Sequence, residues 1–171
     1  MNYIAIYRAS LADGEGWRTV LFVAGCHHHC KECHNPESWN PKAGRPFTNK
    51  TKEFLFDCIT DDIDGLTISG GDPLFKGNIK DVTELCKEFK ERFPNKTIWL
   101  YTGNLYRDSK HLEVMKYIDV VVDGEFKVEL KDTTLAFRGS QNQRIIDVKT
   151  GKTLMSYDLN LDKNQNSIKR R

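Results

Sequence analysis

The chain has 171 residues, of which 39% are hydrophobic and 29% are charged. That length suits one domain with a core large enough to fold without disulfide bonds. The formal net charge of +2 is too small to indicate nucleic acid as a partner, and no apolar run approaches the length that crosses a membrane. The N-terminal segment lacks a basic stretch followed by an apolar one, so the sequence predicts a cytoplasmic protein.

Four short apolar runs rich in β-forming residues alternate with three segments of helical periodicity. The predicted elements, in chain order, are strand Thr19–Val23, helix Thr48–Ile63, strand Leu66–Ser69, helix Ile79–Phe93, strand Ile98–Tyr101, helix Asp108–Ile118 and strand Asp119–Val122. Such alternation predicts parallel strands joined by right-handed crossovers. Because so few units cannot close an eight-stranded barrel, the predicted fold is α/β, an open, partial βα barrel with mostly parallel strands. We expect one domain over residues 1–160 and a polar, disordered tail over residues 161–171.

A glycine lies in a polar or cysteine-containing segment directly after each predicted strand. These segments are Gly25-Cys26, Gly70-Gly71-Asp72, Thr102-Gly103 and Asp123-Gly124. Sites in α/β sheets and barrels form at the carboxyl ends of the strands. The pattern therefore predicts a common pocket at this edge, although glycines that only end strands would give the same pattern.

Residues 26–34 contain three cysteines and four histidines. In a cytoplasmic chain such a cluster indicates metal binding rather than disulfides. Two ligand sets are compatible with Cys26, Cys30 and Cys33: a [4Fe–4S] cluster with one iron open to a substrate, or a closed zinc site completed by one histidine. Cys58 and Cys86 fall on apolar helix faces and are predicted to be buried hydrophobic residues.

The spacing Cys-x₃-Cys-x₂-Cys, followed one strand later by Gly-Gly-Asp-Pro, resembles the radical S-adenosylmethionine superfamily. The resemblance implies that Cys26, Cys30 and Cys33 hold a [4Fe–4S] cluster. It also implies that S-adenosylmethionine chelates the fourth iron through its amino and carboxylate groups. The amino group would contact the segment Gly70-Gly71-Asp72, in which aspartate stands where many members have glutamate.

Further cofactor contacts follow from the same resemblance. Glu32 occupies a position before the third cysteine where many members have an aromatic residue. We expect the backbone of Glu32, Cys33 and His34 to contact the adenine. Thr102, after the third strand, completes the predicted cofactor-binding residues.

Over residues 1–148 the chain is similar to one family within that superfamily, the activating proteins of anaerobic ribonucleoside-triphosphate reductase. The matching segments lie at 13–16, 19–26, 33–35, 38–39, 47–48, 69–74, 98–103, 122–124, 138–140 and 142–144. The resemblance implies reductive cleavage of S-adenosylmethionine to a 5′-deoxyadenosyl radical, which takes hydrogen from a glycine of the reductase. It implies reduced flavodoxin, or a similar protein, as the electron donor, and no catalytic residue beyond the cluster and cofactor. The segment from Arg138 to Arg144 is a candidate for a docking rim or a cover over the cofactor.

Two other functions are compatible with the sequence. One is a different radical enzyme, either an activator of pyruvate formate-lyase or an enzyme that makes a small molecule such as a deazapurine. The other is a zinc-bound interaction module without catalytic activity. Colour separates the last from the others, because an iron–sulfur protein purified without oxygen is brown and a zinc protein is colourless.

Overall fold

The computed structural model describes residues 1–154, which are built around one open eight-stranded sheet. Its strands are β1 Asn2–Ser10, β2 Arg18–Val23, β3 Arg45–Pro46, β4 Gly65–Gly70, β5 Thr97–Tyr101, β6 Val120–Asp123, β7 Arg144–Asp147 and β8 Lys152–Thr153. They lie in the order β3-β1-β2-β4-β5-β6-β7-β8. Residues 155–160, the end of the predicted domain, and the predicted tail lie outside the described residues.

The centre of the sheet consists of the four predicted strands, β2, β4, β5 and β6, and all three pairings among them are parallel. Each strand begins and ends within one residue of its predicted limits. Their residues are buried almost without alternation, as expected for parallel strands covered on both faces. The predicted α/β class and open sheet are therefore confirmed.

The flanking strands were not predicted, and they make the sheet mixed. β1 pairs antiparallel with β2 and β3, and β7 pairs antiparallel with β6 and β8. The prediction of mostly parallel strands is thus confirmed for the centre alone. β1 and β7 cover the edges of the parallel strands, whose backbone groups would otherwise lack partners.

Two helices, α1 Asn49–Asp57 and α2 Ile79–Arg92, cover one face of the sheet. The α2 prediction is confirmed. The helix predicted over 48–63 begins as expected, since the Thr48 side chain accepts a hydrogen bond from the Thr51 amide, but it ends six residues early. Ile59 and Ile63 are buried from the turn that follows α1, so their apolar spacing did not require a helix.

The continuous third helix predicted over 108–118 is wrong. The structure has a four-residue helix, α3 Tyr106–Ser109, and a separate 3₁₀ helix at Glu113–Lys116. The Ser109 hydroxyl donates to the Leu105 carbonyl at 3.2 Å, a local bond of the kind that disfavours helix interiors. Val114 and Met115 are nevertheless buried, so the apolar pattern identified core residues but not their backbone form.

The two faces of the sheet carry different cores. The larger core packs sheet residues such as Leu21, Ile68 and Leu100 against helix residues such as Leu55 and Phe89. The smaller core, on the other face, consists of Trp99, Val120, Val122 and Ile145. None of the helices within residues 1–154 is long and apolar enough to cross a membrane.

A fully buried arginine, Arg18 of β2, joins three of the four central strands. Its guanidinium donates to the Thr67 and Thr97 hydroxyls, at 3.1 and 2.7 Å, and to the Leu66 carbonyl at 2.7 Å. Burial lowers the pKa of Arg18 to about 10. Gly65 leaves room for this side chain, because a Cβ there would lie 2.8 Å from the guanidinium. Arg18 therefore fixes the ends of β2, β4 and β5 that lie opposite the candidate site.

Candidate active site

A cavity of about 510 Å³ lies where the loops after β2, β4, β5 and β6 meet. Each of these loops contributes lining residues: Cys26, His28, Cys30, Glu32, Cys33 and His34 after β2; Gly70 and Gly71 at the end of β4; Thr102 and Gly103 after β5; Gly124 after β6. The pocket predicted at the carboxyl edge of the parallel strands is present.

The cysteine loop places all three predicted ligands on this cavity. Cys26, Cys30 and Cys33 are free thiols of intermediate exposure. Backbone bonds shape the loop: the Cys33 amide donates to the Cys30 carbonyl at 3.1 Å, and the Cys26 amide donates to the Trp39 carbonyl at 3.1 Å. Glu32 adopts a left-handed conformation with φ +55°, which turns the chain between the second and third cysteines. One short loop therefore presents three thiols to one space.

The surroundings of the thiols are compatible with an iron–sulfur cluster. Burial raises the pKa of Cys26 and of Cys30, so metal binding must displace their protons. Three thiols along a cavity wall are the donor set of such a cluster. His28 does not complete a zinc set here, because both its ring nitrogens contact carboxylates.

One unpartnered donor on the cavity wall also fits a polar cofactor. The Trp39 indole nitrogen is buried and has no hydrogen-bond partner among the described residues, and Trp39 lines the cavity. A buried donor without a partner is costly, so a bound molecule with an oxygen acceptor would satisfy this group. Sequence reasoning did not select Trp39 as a cofactor contact. The Tyr101 hydroxyl is also buried without a partner among the described residues, but its charged neighbours are Asp13 and Arg18, so it belongs to the opposite ends of the strands.

Neighbouring backbone leaves no room for a side chain at either of the two glycines at the end of β4. Gly70 has φ +105°, and a Cβ there would lie 2.6 Å from the backbone of Val23. A Cβ on Gly71 would lie 2.6 Å from the Gly25 carbonyl oxygen. The glycines thus bring the end of β4 against the start of the cysteine loop. This close approach places Gly70 and Gly71 on the same cavity as the three cysteines, whereas Asp72 is fully buried and is not one of the lining residues.

Asp72 is fully buried, and its carboxylate accepts bonds from several directions. Oδ1 accepts from the Leu74 amide at 2.8 Å and from the Thr102 hydroxyl at 2.9 Å. Oδ2 accepts from the Gly103 amide and the Asn104 side chain, both at 3.2 Å. Thr102, predicted as a cofactor contact, therefore lines the cavity and also orients Asp72.

His28 connects Asp72 to the segment after β6. Its Nε2 lies 2.8 Å from Asp72 Oδ2, and its Nδ1 lies 2.8 Å from Glu125 Oε1. These hydrogen bonds, with that to Asp72 the stronger cause, raise the pKa of His28. Sequence reasoning treated this histidine as one of several loop residues, and nothing local distinguishes it, since its partners lie 44 and 97 positions away.

The segment from 125 to 143 forms one wall of the cavity, and most of it was missed from the sequence. Its lining residues are Phe126, Lys131, Asp132, Thr133, Leu135, Arg138, Gly139 and Gln143. The Gln143 side chain donates to the Gly124 carbonyl at 3.0 Å, and Arg138 donates to the Gln143 carbonyl at 3.1 Å. Within the predicted rim or cover, Arg138 faces the cavity, whereas Arg144 pairs with buried Asp123.

Comparisons with known proteins agree with this geometry. Residues 12–146 match the sequence profile of the 4Fe-4S single cluster domain. An anaerobic ribonucleoside-triphosphate reductase-activating protein of Enterobacteria phage T4 is 44% identical over 146 residues, which cover 85% of this chain and 93% of the relative. Proteins with the same name from Pasteurella multocida (strain Pm70) and Escherichia coli (strain K12) are 38% and 36% identical, over 85% and 84% of this chain and 96% of each relative. The chain therefore belongs to the family of anaerobic ribonucleoside-triphosphate reductase-activating proteins.

Proposed function

We propose that this chain activates an anaerobic ribonucleoside-triphosphate reductase by generating a glycyl radical on it. The main structural support for this proposal is the loop that presents Cys26, Cys30 and Cys33 to a cavity at the ends of parallel strands. The fold supports the same proposal, because an open sheet with four central parallel strands suits a partial barrel of the radical S-adenosylmethionine type. The name shared by relatives at 36–44% identity supplies the target.

The residues around the cavity divide into two groups by chemistry. The three cysteines would hold the [4Fe–4S] cluster. Around the S-adenosylmethionine, the ends of β4 and β5 would supply Gly70, Gly71, Asp72 and Thr102, and the backbone of Glu32, Cys33 and His34 would contact the adenine. When bound, cluster and cofactor together supply the radical that takes a hydrogen atom from a glycine Cα of the reductase.

The protein itself binds and orients the cofactor and shields the reactive centre from water. Asp72 is fixed by Thr102 and by backbone amides, so its carboxylate keeps one orientation without a ligand. The wall formed by residues 125–143 covers one side of the cavity, and we propose that the docked reductase covers the other. Exclusion of water from the reactive centre would then depend on docking. Reduced flavodoxin, or a protein like it, is the proposed electron donor.

Electron paramagnetic resonance tests this function directly. The anaerobically reconstituted protein, S-adenosylmethionine, a reductant and the reductase are mixed, and the spectrum is recorded. We expect a protein-centred glycyl signal in the complete mixture, and its loss when S-adenosylmethionine is omitted or the target glycine is replaced by alanine. Without the reductase we expect only slow, uncoupled cleavage of the cofactor. Steady turnover of a small molecule in the absence of the reductase would contradict the proposal.

A further inference from the structure

His28 is held in a fitted position beside Asp72. Its side chain is only 8% exposed, although it belongs to a loop on the cavity. Gly103 provides the space, because a Cβ there would lie 2.5 Å from the His28 ring. The ring also stacks on His27, with 4.1 Å between centroids. Together with the two carboxylate contacts, these features fix the imidazole in one place.

The Asp72 carboxylate has no acceptor capacity left while His28 is present. Donors reach it from the Leu74 and Gly103 amides, the Thr102 hydroxyl, the Asn104 side chain and the His28 ring. A carboxylate offers about four lone-pair sites, so these five donors already share them. An ammonium group would be a sixth donor, whereas exchange for one of the five leaves the number of donors unchanged.

His28 is the donor that can leave. The amides of Leu74 and Gly103 are backbone groups, and the Thr102 and Asn104 side chains bond to each other as well as to Asp72. His28 instead comes from the cysteine loop and lines the cavity. Its second partner, Glu125, has a side chain that is 52% exposed, so water can replace this contact when the ring moves away from Asp72.

We propose that His28 occupies the position on Asp72 that the amino group of S-adenosylmethionine takes, so that the cofactor binds by displacing the imidazole. This inference rests on the proposed function, because it assumes that cofactor. Both groups donate N–H bonds to the same carboxylate, and the four remaining donors keep Asp72 oriented after the exchange. Because only the displaced form accepts the cofactor, His28 lowers the apparent affinity for it.

Affinity measurements on the reconstituted protein test the exchange. We expect His28→Ala to bind S-adenosylmethionine about threefold to tenfold more tightly in anaerobic equilibrium dialysis, the range given by one hydrogen bond of ordinary strength. Binding of 5′-methylthioadenosine, which lacks the methionine amino and carboxylate groups, should not change. His27→Ala is the matched control, because it removes a ring contact of His28 and keeps both carboxylate contacts. It should raise the S-adenosylmethionine affinity less than His28→Ala does and leave 5′-methylthioadenosine binding unchanged. Equal or weaker S-adenosylmethionine binding by His28→Ala at equal iron content would overturn the proposal.

A second variant leaves the cysteine loop untouched. Glu125→Ala removes the outer anchor of His28 without altering Asp72 or any cysteine, and we expect a smaller gain in S-adenosylmethionine affinity, about twofold to threefold. Should His28→Ala fail to assemble the cluster, Glu125→Ala decides alone. In that case, an unchanged S-adenosylmethionine affinity in Glu125→Ala would overturn the proposal. If the wild-type protein carries the cluster but binds no S-adenosylmethionine, the proposed function itself fails. If the wild-type protein binds S-adenosylmethionine and neither variant binds it more tightly, the proposed displacement of His28 is wrong but the proposed function stands.

Discussion

Replacing Cys26, Cys30 or Cys33 with alanine is expected to abolish assembly of the iron–sulfur cluster. The three thiols lie on one cavity wall, and loss of one leaves two ligands for a group that needs three from the protein. Iron and acid-labile sulfide per chain, measured after anaerobic reconstitution, should fall to background in each variant. Circular dichroism should show an intact fold, because these side chains lie outside both buried cores.

Cys86 and Cys58 provide matched controls for the ligand assignment. Cys86 is fully buried in α2 within the larger core, where burial raises the pKa of its thiol. Cys58 was predicted to be buried on a helix face, but it lies just after α1 and is only half-buried. Its thiol donates to the Phe54 carbonyl. Alanine at either position should leave the iron content unchanged, and at Cys86 it should cost about 1 kcal/mol of stability. Iron loss from Cys58→Ala combined with iron retention in Cys30→Ala would show that the ligands are assigned wrongly.

The central strands could be predicted because their burial makes a local pattern. In β2 and β6 the residues are apolar on both faces, and such runs between helical segments indicate parallel strands. β1 carries no such run: its residues are partly buried or exposed. Its place in the sheet depends on antiparallel pairing with β2, a contact between chain segments that no local pattern of β1 specifies.

The site divides in the same way between local and long-range features. The cysteine spacing and the glycine–aspartate segment are contiguous in sequence, so the cavity they share followed from the strand-end rule. The residues that form hydrogen bonds with the Asp72 carboxylate are far apart in sequence: His28 comes from one loop, and Thr102 and Asn104 come from another. The wall at 125–143 has no apolar periodicity, so only its C-terminal part was selected, by resemblance.

Arg144→Ala is expected to lower stability strongly, because it leaves a buried carboxylate without its cation. Asp123 is fully buried at the end of β6, and Arg144 holds it with Nη2 at 2.5 Å from Oδ2 and Nε at 3.0 Å from Oδ1. Removing one partner of a buried pair typically costs about 3–5 kcal/mol. Since 43% of the Arg144 side chain is exposed, water offsets part of the loss, and we expect about 2–3 kcal/mol. Urea denaturation of the apoprotein measures this difference.

Two variants distinguish this pair from arginines that lie only on the surface. Arg107 contacts Asp108 at 3.6 Å with both side chains largely exposed, so Arg107→Ala should change stability by less than about 0.5 kcal/mol. Asp123→Asn combined with Arg144→Ala removes the buried charge as well, and it should recover part of the stability that Arg144→Ala loses. The Tyr106 amide would still have an oxygen acceptor at position 123. If Arg144→Ala were no more destabilising than Arg107→Ala, the pair with Asp123 would contribute no more than a surface ion pair, and Arg144 would instead be a surface residue available for docking.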